Sequence, residues 1–247
     1  MTGQDHSSVH FQVLTLYPEI FASFLSQGLI GKAVEDQKLK VELINYRKKG
    51  IGKHLKVDST PYGGGAGMVL RPEPIIETLE QCRESVPGQK SHAVLISPQG
   101  TVFNQVKAIE LSRMAFPIVL ICGRFEGFDE RIRHFIDEEI SLGDFVFMGG
   151  EVAAMAIMES VSRLVPGVIG NEDSLKHESF SQNLLEYPQY TRPLVYKGLR
   201  VPDVLTSGNH KEIETWRKEK ALEKTKNRRP DLYKLFNKGN GEPLNSP

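Results

Sequence analysis

The sequence has few cysteines and no long apolar segment, and both absences narrow the class of protein. Its 2 cysteines, Cys82 and Cys122, are too few for a disulfide framework, and neither has a neighbouring set of zinc ligands. No apolar run approaches the roughly 20 residues that a membrane-spanning helix needs. Residues 1–10 lack the apolar centre of a signal peptide. We therefore predict a protein of the reducing cytoplasm, without membrane association.

The formal net charge of zero conceals an asymmetry along the chain. Residues 1–191 contain 18 Lys and Arg against 24 Asp and Glu, whereas residues 192–247 contain 13 against 7. A basic C-terminal module on an acidic body favours an anionic partner such as nucleic acid. A solvated helix surface would carry the same pattern, so charge alone leaves both interpretations open.

Strands and helices alternate over the first three quarters of the chain. Apolar patterns predict strands at residues 11–16, 39–45, 93–96, 117–122 and 139–142, and helices from residue 18 and at 104–114, 129–135 and 151–164. The last helix is apolar over much of its circumference, which predicts burial on more than one side. Such alternation predicts an α/β fold with a mostly parallel sheet.

The alternating pattern stops after residue 167, which predicts a second, smaller unit. Residues 171–183 are polar and without periodicity. A helix opened by Ser207-Gly208-Asn209 and extending to about residue 226 follows, and then a short helix from residue 231. We predict a disordered N-terminus (1–9), a large α/β domain (10–169), a flexible linker (170–186), a small helical domain (187–238) and a disordered tail (239–247).

Four glycine-containing loops are the candidates for a binding site. Residues 62–68 form no phosphate-binding P-loop, because no Gly-Lys-Ser/Thr follows, and no strand leads directly into them as a dinucleotide fingerprint requires. Residues 97–100, 123–127 and 143–151 each follow a predicted strand. Ligands bind at the carboxyl ends of parallel strands, so three such loops favour a shared pocket over ordinary turns.

Seven segments in order resemble one enzyme family: residues 62–68, 95–100, 123–131, 143–151, 162–168, 190–193 and 207–210. Together they resemble the tRNA (guanine-N1)-methyltransferases, the TrmD family, whose α/β fold belongs to the SPOUT class with a trefoil knot. The likeness extends from about residue 14 to residue 229. The knot is implied by the resemblance alone, since knots are otherwise rare.

The resemblance implies S-adenosylmethionine as cofactor, held at Ile96, Ser97, Pro98, Gly123, Phe125, Glu126, Leu142, Gly143, Asp144, Phe145, Val146, Phe147, Gly149 and Gly150. It implies substrate contacts at Tyr62, Gly64, Gly65, Ser207, Gly208, Asn209 and His210. The family forms homodimers whose active site uses both chains, and its C-terminal domain holds the tRNA. The implied target is the guanosine immediately 3′ of the anticodon, preceded by another guanosine. A divalent ion, Mg²⁺, is a further implied requirement, but no residue cage for it is evident.

Methylation of guanine N1 requires a base for the N1 proton and a donor to the O6 atom, where negative charge develops. The family's base is an aspartate two residues before a Phe in the linker. Here Glu178 precedes Ser179-Phe180, a carboxylate one methylene longer, and Asp173 is a nearby rival. Arg163 matches the family's arginine at the end of the buried helix and can donate to O6 or N7. It could instead bind the last carbonyls of its helix.

Three other functions fit parts of the sequence, but each conflicts with another feature. A knotted methyltransferase acting on a ribose 2′-hydroxyl would need no base for a ring nitrogen, which the linker carboxylate argues against. A non-enzymatic RNA-binding protein would leave the glycine loops unexplained. A nicotinamide dehydrogenase would lack its glycine fingerprint.

Overall fold

The computed structural model describes residues 8–85, 90–171 and 178–238. Contacts divide the chain into two compact units, Met1–Gly170 and Asn171–Pro247. Of the predicted linker, Gly170 therefore groups with the N-terminal unit, and Asn171 and residues 178–186 group with the C-terminal unit. The predicted disordered tail and residues 1–7 lie outside the described residues, and Val9 already belongs to the first strand.

The N-terminal unit is built on a parallel sheet. Its strands in chain order are β1 (Val9–Thr15), β2 (Leu39–Asn45), β3 (Asp58–Ser59), β4 (Val69–Leu70), β5 (His92–Val102), β6 (Ile118–Cys122) and β7 (Glu138–Ser141). Five of them form one sheet in the order β2-β1-β6-β5-β7, with every pair parallel. This confirms the predicted α/β class; β3 and β4 form a separate antiparallel pair.

The helices of this unit are α1 (Ala22–Ser26), α2 (Gly28–Glu35), α3 (Pro72–Glu84), α4 (Gln105–Ser112) and α5 (Glu151–Ser162). Short 3-10 helices occupy Pro18–Phe21, Tyr46–Lys49 and Glu130–Phe135. The helix predicted from residue 18 is a 3-10 helix followed by α1 and α2. The sequence patterns missed α3, although its residues Ile75, Leu79 and Cys82 are buried at the spacing of one helix face. The helix expected at 129–135 is a 3-10 helix, Glu130–Phe135.

Apolar side chains cover both faces of the sheet. One face packs against α2, α4 and α5 through residues such as Phe11, Val13 and Leu120. The other face contains Leu95 and Ile121 and packs against α3. Because successive side chains of a strand point to opposite faces, a strand buried on both sides has a continuous apolar run, as β6 does.

Strand β5 differs from its prediction at the point that matters for the site. We expected it to end at Ile96, but it continues to Val102 after an irregularity. Ile96 and Thr101 both pair with Ile140 of β7, so residues 97–100 leave the sheet and return to it. A Cβ at Gly100 would lie 2.5 Å from backbone atoms of Glu139, so the return requires glycine. Pattern reading missed it because an excursion of four polar or turn residues resembles the end of a strand.

The C-terminal unit contains β8 (Val195–Tyr196), β9 (Leu199–Arg200), α6 (His210–Arg228) and α7 (Pro230–Lys238). Strands β8 and β9 pair antiparallel. Helix α6 begins where predicted, because the Asn209 side chain accepts a hydrogen bond from the Glu212 N–H at 3.4 Å. Among the described residues, no helix combines the length and apolarity that crossing a membrane demands.

Candidate active site

A cavity of about 270 Å³ lies at the carboxyl edge of the parallel sheet. The excursion of β5 and the loops after β6 and β7 form its wall. Twelve of the fourteen predicted cofactor residues line it: Ile96, Ser97, Pro98, Gly123, Phe125, Glu126, Leu142, Phe145, Val146, Phe147, Gly149 and Gly150. Gly143 and Asp144 do not line it. The three loops that the sequence placed after consecutive strands thus share one cavity, as the carboxyl edge of a parallel sheet favours.

Glycines allow two of these loops to touch along their backbones. The Gly150 N–H donates to the Gly123 carbonyl at 2.9 Å, and Arg124 and Gly149 form an antiparallel bridge. A Cβ at Gly150 would lie 2.8 Å from Cys122 Cα. The loops can therefore be joined in this way only with glycine at 150.

Gly143 shapes the cavity without lining it. Its φ is +148°, in the region that favours glycine, and a Cβ there would lie 2.8 Å from the Phe145 ring. Phe145 in turn packs edge-to-face against Phe147, with ring centroids 5.1 Å apart. Asp144 is exposed to solvent.

A buried ion-pair network adjoins the cavity wall, and no sequence pattern indicated it. Glu151, the first residue of α5, is 1% exposed. Its Oε1 accepts from Thr15 Oγ1 at 2.8 Å and from Arg124 Nε at 3.2 Å, and its Oε2 lies 2.8 Å from Arg124 Nη2. The Arg124 guanidinium also stacks on the Tyr17 ring at 4.6 Å. The network connects the ends of β1 and β6 to α5.

A second network links the excursion of β5 to the 3-10 helix Glu130–Phe135. Arg133 donates to both carboxylate oxygens of Glu139, at 3.0 and 2.9 Å, and to Gln99 Oε1 at 2.9 Å. It also pairs with Glu130. Gln99, Glu130 and Arg133 all line the cavity, so this ion pair fixes part of its wall.

Cys122 lies directly beneath the cavity but is unsuited to nucleophilic chemistry. It is fully buried at the end of β6. Burial raises the pKa of its thiol well above the ordinary value. The thiol is therefore protonated and inert at neutral pH.

The glycine-rich loop at 62–68 lies beside the cavity wall. The Glu126 N–H donates to the Met68 carbonyl at 2.9 Å. Tyr62, at the start of the loop, is 102% exposed, and Gly64 and Gly65 have positive φ values of 79° and 140°. The predicted substrate residues here thus occupy an open surface next to the cavity.

The other predicted substrate residues form the start of α6. Ser207 Oγ accepts from the Asn209 N–H at 3.1 Å and donates to the Val204 carbonyl at 2.8 Å. Gly208 has a φ of +76°, and His210 is the exposed first residue of the helix. Ser207 and Asn209 thus act as helix-capping residues in the structure.

The predicted catalytic residues belong to different units. Arg163 is the half-buried C-cap of α5, and its backbone N–H donates to the Glu159 carbonyl at 3.2 Å. Glu178 is half-buried in the C-terminal unit, where its carbonyl accepts from Ser181 Oγ at 2.8 Å. The rival Asp173 lies outside the described residues.

Comparison with known proteins decides the family. The model of the family described as tRNA (Guanine-1)-methyltransferase TrmD matches residues 9–235. The chain belongs to this family.

Several curated relatives match about nine tenths of the chain. The "tRNA (guanine-N(1)-)-methyltransferase" of Desulfitobacterium hafniense is 53% identical over 223 residues, 90% of this chain and 84% of that protein. Proteins with the same name from Latilactobacillus sakei and Staphylococcus aureus are 50% and 49% identical, over about nine tenths of both chains.

The family match includes every cavity loop, the 62–68 loop, and both Arg163 and Glu178. Arg124 and Glu151 lie in two of the segments that carry the resemblance, but the sequence patterns gave neither of them a role. A carboxylate at the first turn of an otherwise apolar helix was the available signal, because a charge there needs a partner. Within residues 8–85, 90–171 and 178–238, no three His, Cys, Asp or Glu side chains converge as a metal site would require.

Proposed function

We propose that this family member transfers a methyl group from S-adenosylmethionine to N1 of the guanosine immediately 3′ of the anticodon in tRNA. The observation that carries the proposal is the cavity at the carboxyl edge of the sheet, lined by twelve of the residues that the resemblance implies for the cofactor. The names of the relatives specify the N1 atom of guanine in tRNA.

The cavity fits the cofactor chemically. Glycines at 123, 149 and 150 allow backbone groups to approach a flat adenine closely. The carboxylate of Glu126 suits the cofactor's cationic groups. When bound, S-adenosylmethionine supplies a methyl group already activated by its sulfonium, so no covalent enzyme intermediate is needed.

Glu178 is the proposed general base, which takes the N1 proton of guanine. The extra methylene relative to the family's aspartate lengthens its reach, and Asp173 remains the rival assignment. Arg163 is the proposed donor to O6. Together these roles account for contributions of roughly 10²–10⁴-fold from the base and 10²–10³-fold from the donor.

The finer features implied by the resemblance belong to the same proposal. They are the trefoil knot, a homodimer whose active site uses both chains, a cytoplasmic location, and Mg²⁺ as an additional ion. Apolar residues are exposed beside the cavity, with Val146 83% and Met148 92% accessible, as a surface covered by a second copy would be. In the proposal, the basic C-terminal unit binds tRNA phosphates.

The test is methylation of an unmodified tRNA transcript with labelled S-adenosylmethionine, followed by nucleoside analysis. We expect 1-methylguanosine, and none from a matched transcript with adenosine 3′ of the anticodon. Label in a 2′-O-methylated nucleoside would instead support the other class of knotted enzyme. No transfer to any tRNA, with the cofactor bound, would refute the proposal.

A further inference from the structure

The N-terminal unit is acidic as a whole, yet it contains one surface with only positive charge. We define the basic turn as residues 46–57, which include Arg47, Lys48, Lys49, Lys53 and Lys56 and no Asp or Glu. These are five of the 18 Lys and Arg among residues 1–191. All are exposed except the half-buried Lys49. The charge is therefore concentrated, not scattered over the unit.

Among the residues that the structure describes, none of the five cations of the basic turn forms an ion pair. Lys40, Lys107 and Arg133, elsewhere in the same unit, each pair with a carboxylate. An exposed cluster of cations repels itself unless something anionic covers it. The positive charge is thus available to a ligand and is not neutralised by the protein.

The basic turn is ordered by its backbone. Ile51 and Lys56 exchange two hydrogen bonds, at 2.9 and 3.1 Å, and the Leu55 N–H donates to the Gly52 carbonyl at 3.1 Å. Gly52 supplies a φ of +70° at the tip. The turn begins with the 3-10 helix Tyr46–Lys49, which the Asn45 side chain caps by accepting from the Arg47 N–H at 2.9 Å. Binding an anion here would cost little backbone ordering.

Two anchors hold the basic turn beside the cavity. At its start, buried Tyr46 donates through Oη to the Cys122 carbonyl at 3.3 Å. The next residue, Gly123, lines the cavity. At its end, the carbonyl of buried Val57 accepts from the Arg71 N–H at 2.8 Å, next to Leu70, whose N–H donates to the Gly127 carbonyl at 2.9 Å. Both anchors lead to the loop at 123–128.

We propose that the basic turn is a second phosphate-binding surface for tRNA, carried by the catalytic unit itself. This rests on the proposed function, because the RNA is the tRNA whose guanine is methylated. A nucleic-acid backbone is the ligand that matches several ordered cations without acidic neighbours. Its position beside the cavity assigns it the phosphates near the target nucleotide, whereas the C-terminal unit supplies separate basic groups.

The test compares three full-length variants, and the first two lose the same number of positive charges. One replaces Lys48, Lys53 and Lys56 by Gln; the control replaces Lys32, Lys90 and Arg113 by Gln. All three control residues are exposed, with Lys90 and Arg113 before β5 and β6, at the opposite edge of the sheet. A third variant has Arg at 48, 53 and 56. Affinity for an unmodified tRNA transcript is measured across a salt series.

We expect the Gln variant of the basic turn to bind tRNA roughly tenfold more weakly at low salt, with the log–log salt slope smaller by about 3. The Arg variant should bind like the wild type, and the control should change less than threefold. KM for tRNA should rise while kcat stays unchanged. Thermal unfolding and cofactor affinity should match the wild type.

An unchanged salt slope for the Gln variant, or an equal loss in the control, would overturn the proposal. Failure of the wild type to methylate guanine would refute the proposed reaction, but the binding comparison would still decide the role of the turn. If the Gln variant unfolds, the role of the turn is decided by hydroxyl-radical footprinting of the wild type and of the Arg variant, which should be as stable as the wild type. Bound tRNA should then protect residues 46–57. An absent footprint would then count against the proposal.

Discussion

The two units of the chain are stabilised in different ways. The N-terminal unit buries apolar side chains on both faces of a parallel sheet, including Phe11, Leu95 and Leu120. In the described part of the C-terminal unit, the fully or nearly buried residues are Leu184, Ala221, Ser181 and Thr225. Two of these four are polar, so hydrogen bonds contribute a larger share of the stability of this unit.

The C-terminal unit depends on a few specific polar and aromatic contacts. The Leu185 N–H donates to Thr225 Oγ1 at 2.8 Å, and Lys224 Nζ donates to the Glu186 carbonyl at 2.9 Å. The Arg217 guanidinium stacks on the Tyr187 ring at 4.9 Å. A unit with little buried apolar surface is expected to open locally at lower free energy than a sheet core. Under the proposed function, the N-terminal unit would provide a rigid cofactor cavity, and the C-terminal unit would adapt more readily to the tRNA.

The largest expected effect separates catalysis from binding. In the proposed mechanism, Glu178 of the C-terminal unit accepts the N1 proton. Glu178→Gln keeps nearly the same shape but cannot accept it, so the single-turnover rate should fall by roughly 10²–10⁴-fold, with tRNA and cofactor affinities within a few-fold of wild type. Rapid-quench methylation measures this.

Asp173→Asn serves as the matched control and should change the rate little. A near wild-type rate for Glu178→Gln together with a dead Asp173→Asn enzyme would move the base to Asp173.

The next effect tests the rigidity of the catalytic unit. Gly150→Ala places a Cβ 2.8 Å from Cys122 Cα and 2.9 Å from Gly123 N, so backbone must move. We expect a loss of about 1–3 kcal/mol in unfolding free energy and at least tenfold weaker cofactor binding, measured by calorimetry. Gly170→Ala, where a Cβ meets nothing within 4 Å, is the control. Equal behaviour of the two variants would contradict a glycine-dependent cavity wall.

A smaller change tests the polar stabilisation of the C-terminal unit. Thr225→Val keeps the shape but leaves the Leu185 N–H without its partner, which should cost about 1–2 kcal/mol. Hydrogen exchange should show the loss in residues 178–238 and not in the sheet. Thr215→Val removes an exposed hydroxyl of the same helix, which donates to the Lys211 carbonyl at 3.0 Å, and should cost little. A loss spread equally over both units would break the comparison.

The smallest effect concerns an ion pair in the catalytic unit, far from the cavity edge. Burial favours a raised pKa for Glu138, but hydrogen bonds from His92 and Lys107 outweigh it, so the pKa lies below the usual 4.5. A depressed carboxyl pKa contributes stability above the unfolded value, and the contribution is lost as pH falls through the folded value. Glu138→Gln should therefore cost about 1 kcal/mol at pH 7.

Melting curves of both proteins between pH 3 and pH 7 measure the dependence. The difference should be constant above about pH 5 and shrink below it, given the carboxyl's reference value. A difference that grows on acidification would show that the ion pair is not its source.

The sequence predicted much of the fold, and its misses have local causes. Strand β2 was predicted at its observed bounds, and α5 began at Glu151 as expected, because apolar periodicity is a strong signal in a buried element. Helix α3 was missed because its apolar positions alternate with many charges. The excursion at residues 97–100 was taken for a strand end, since only Gly100 marks the return.

For the site, the glycine loops and their order sufficed to predict the cavity wall, because glycine placement is a local demand of the backbone. The sequence did not reveal the Arg133 network with Gln99 and Glu139, nor the basic turn as a separate surface. Net charge over 191 residues hid five clustered cations within an acidic total. The average was correct, but a binding surface depends on local charge.

By itself, the sequence determined the α/β class, the family and the loops that line the cavity, because periodicity and turn residues act over a few neighbours. Tertiary structure alone decided which distant groups meet. Thr15, Arg124 and Glu151 come together because β1 and β6 are adjacent parallel strands and α5 begins at their carboxyl edge. No local pattern specifies such a contact across 136 residues, since it arises from the order of strands in the sheet.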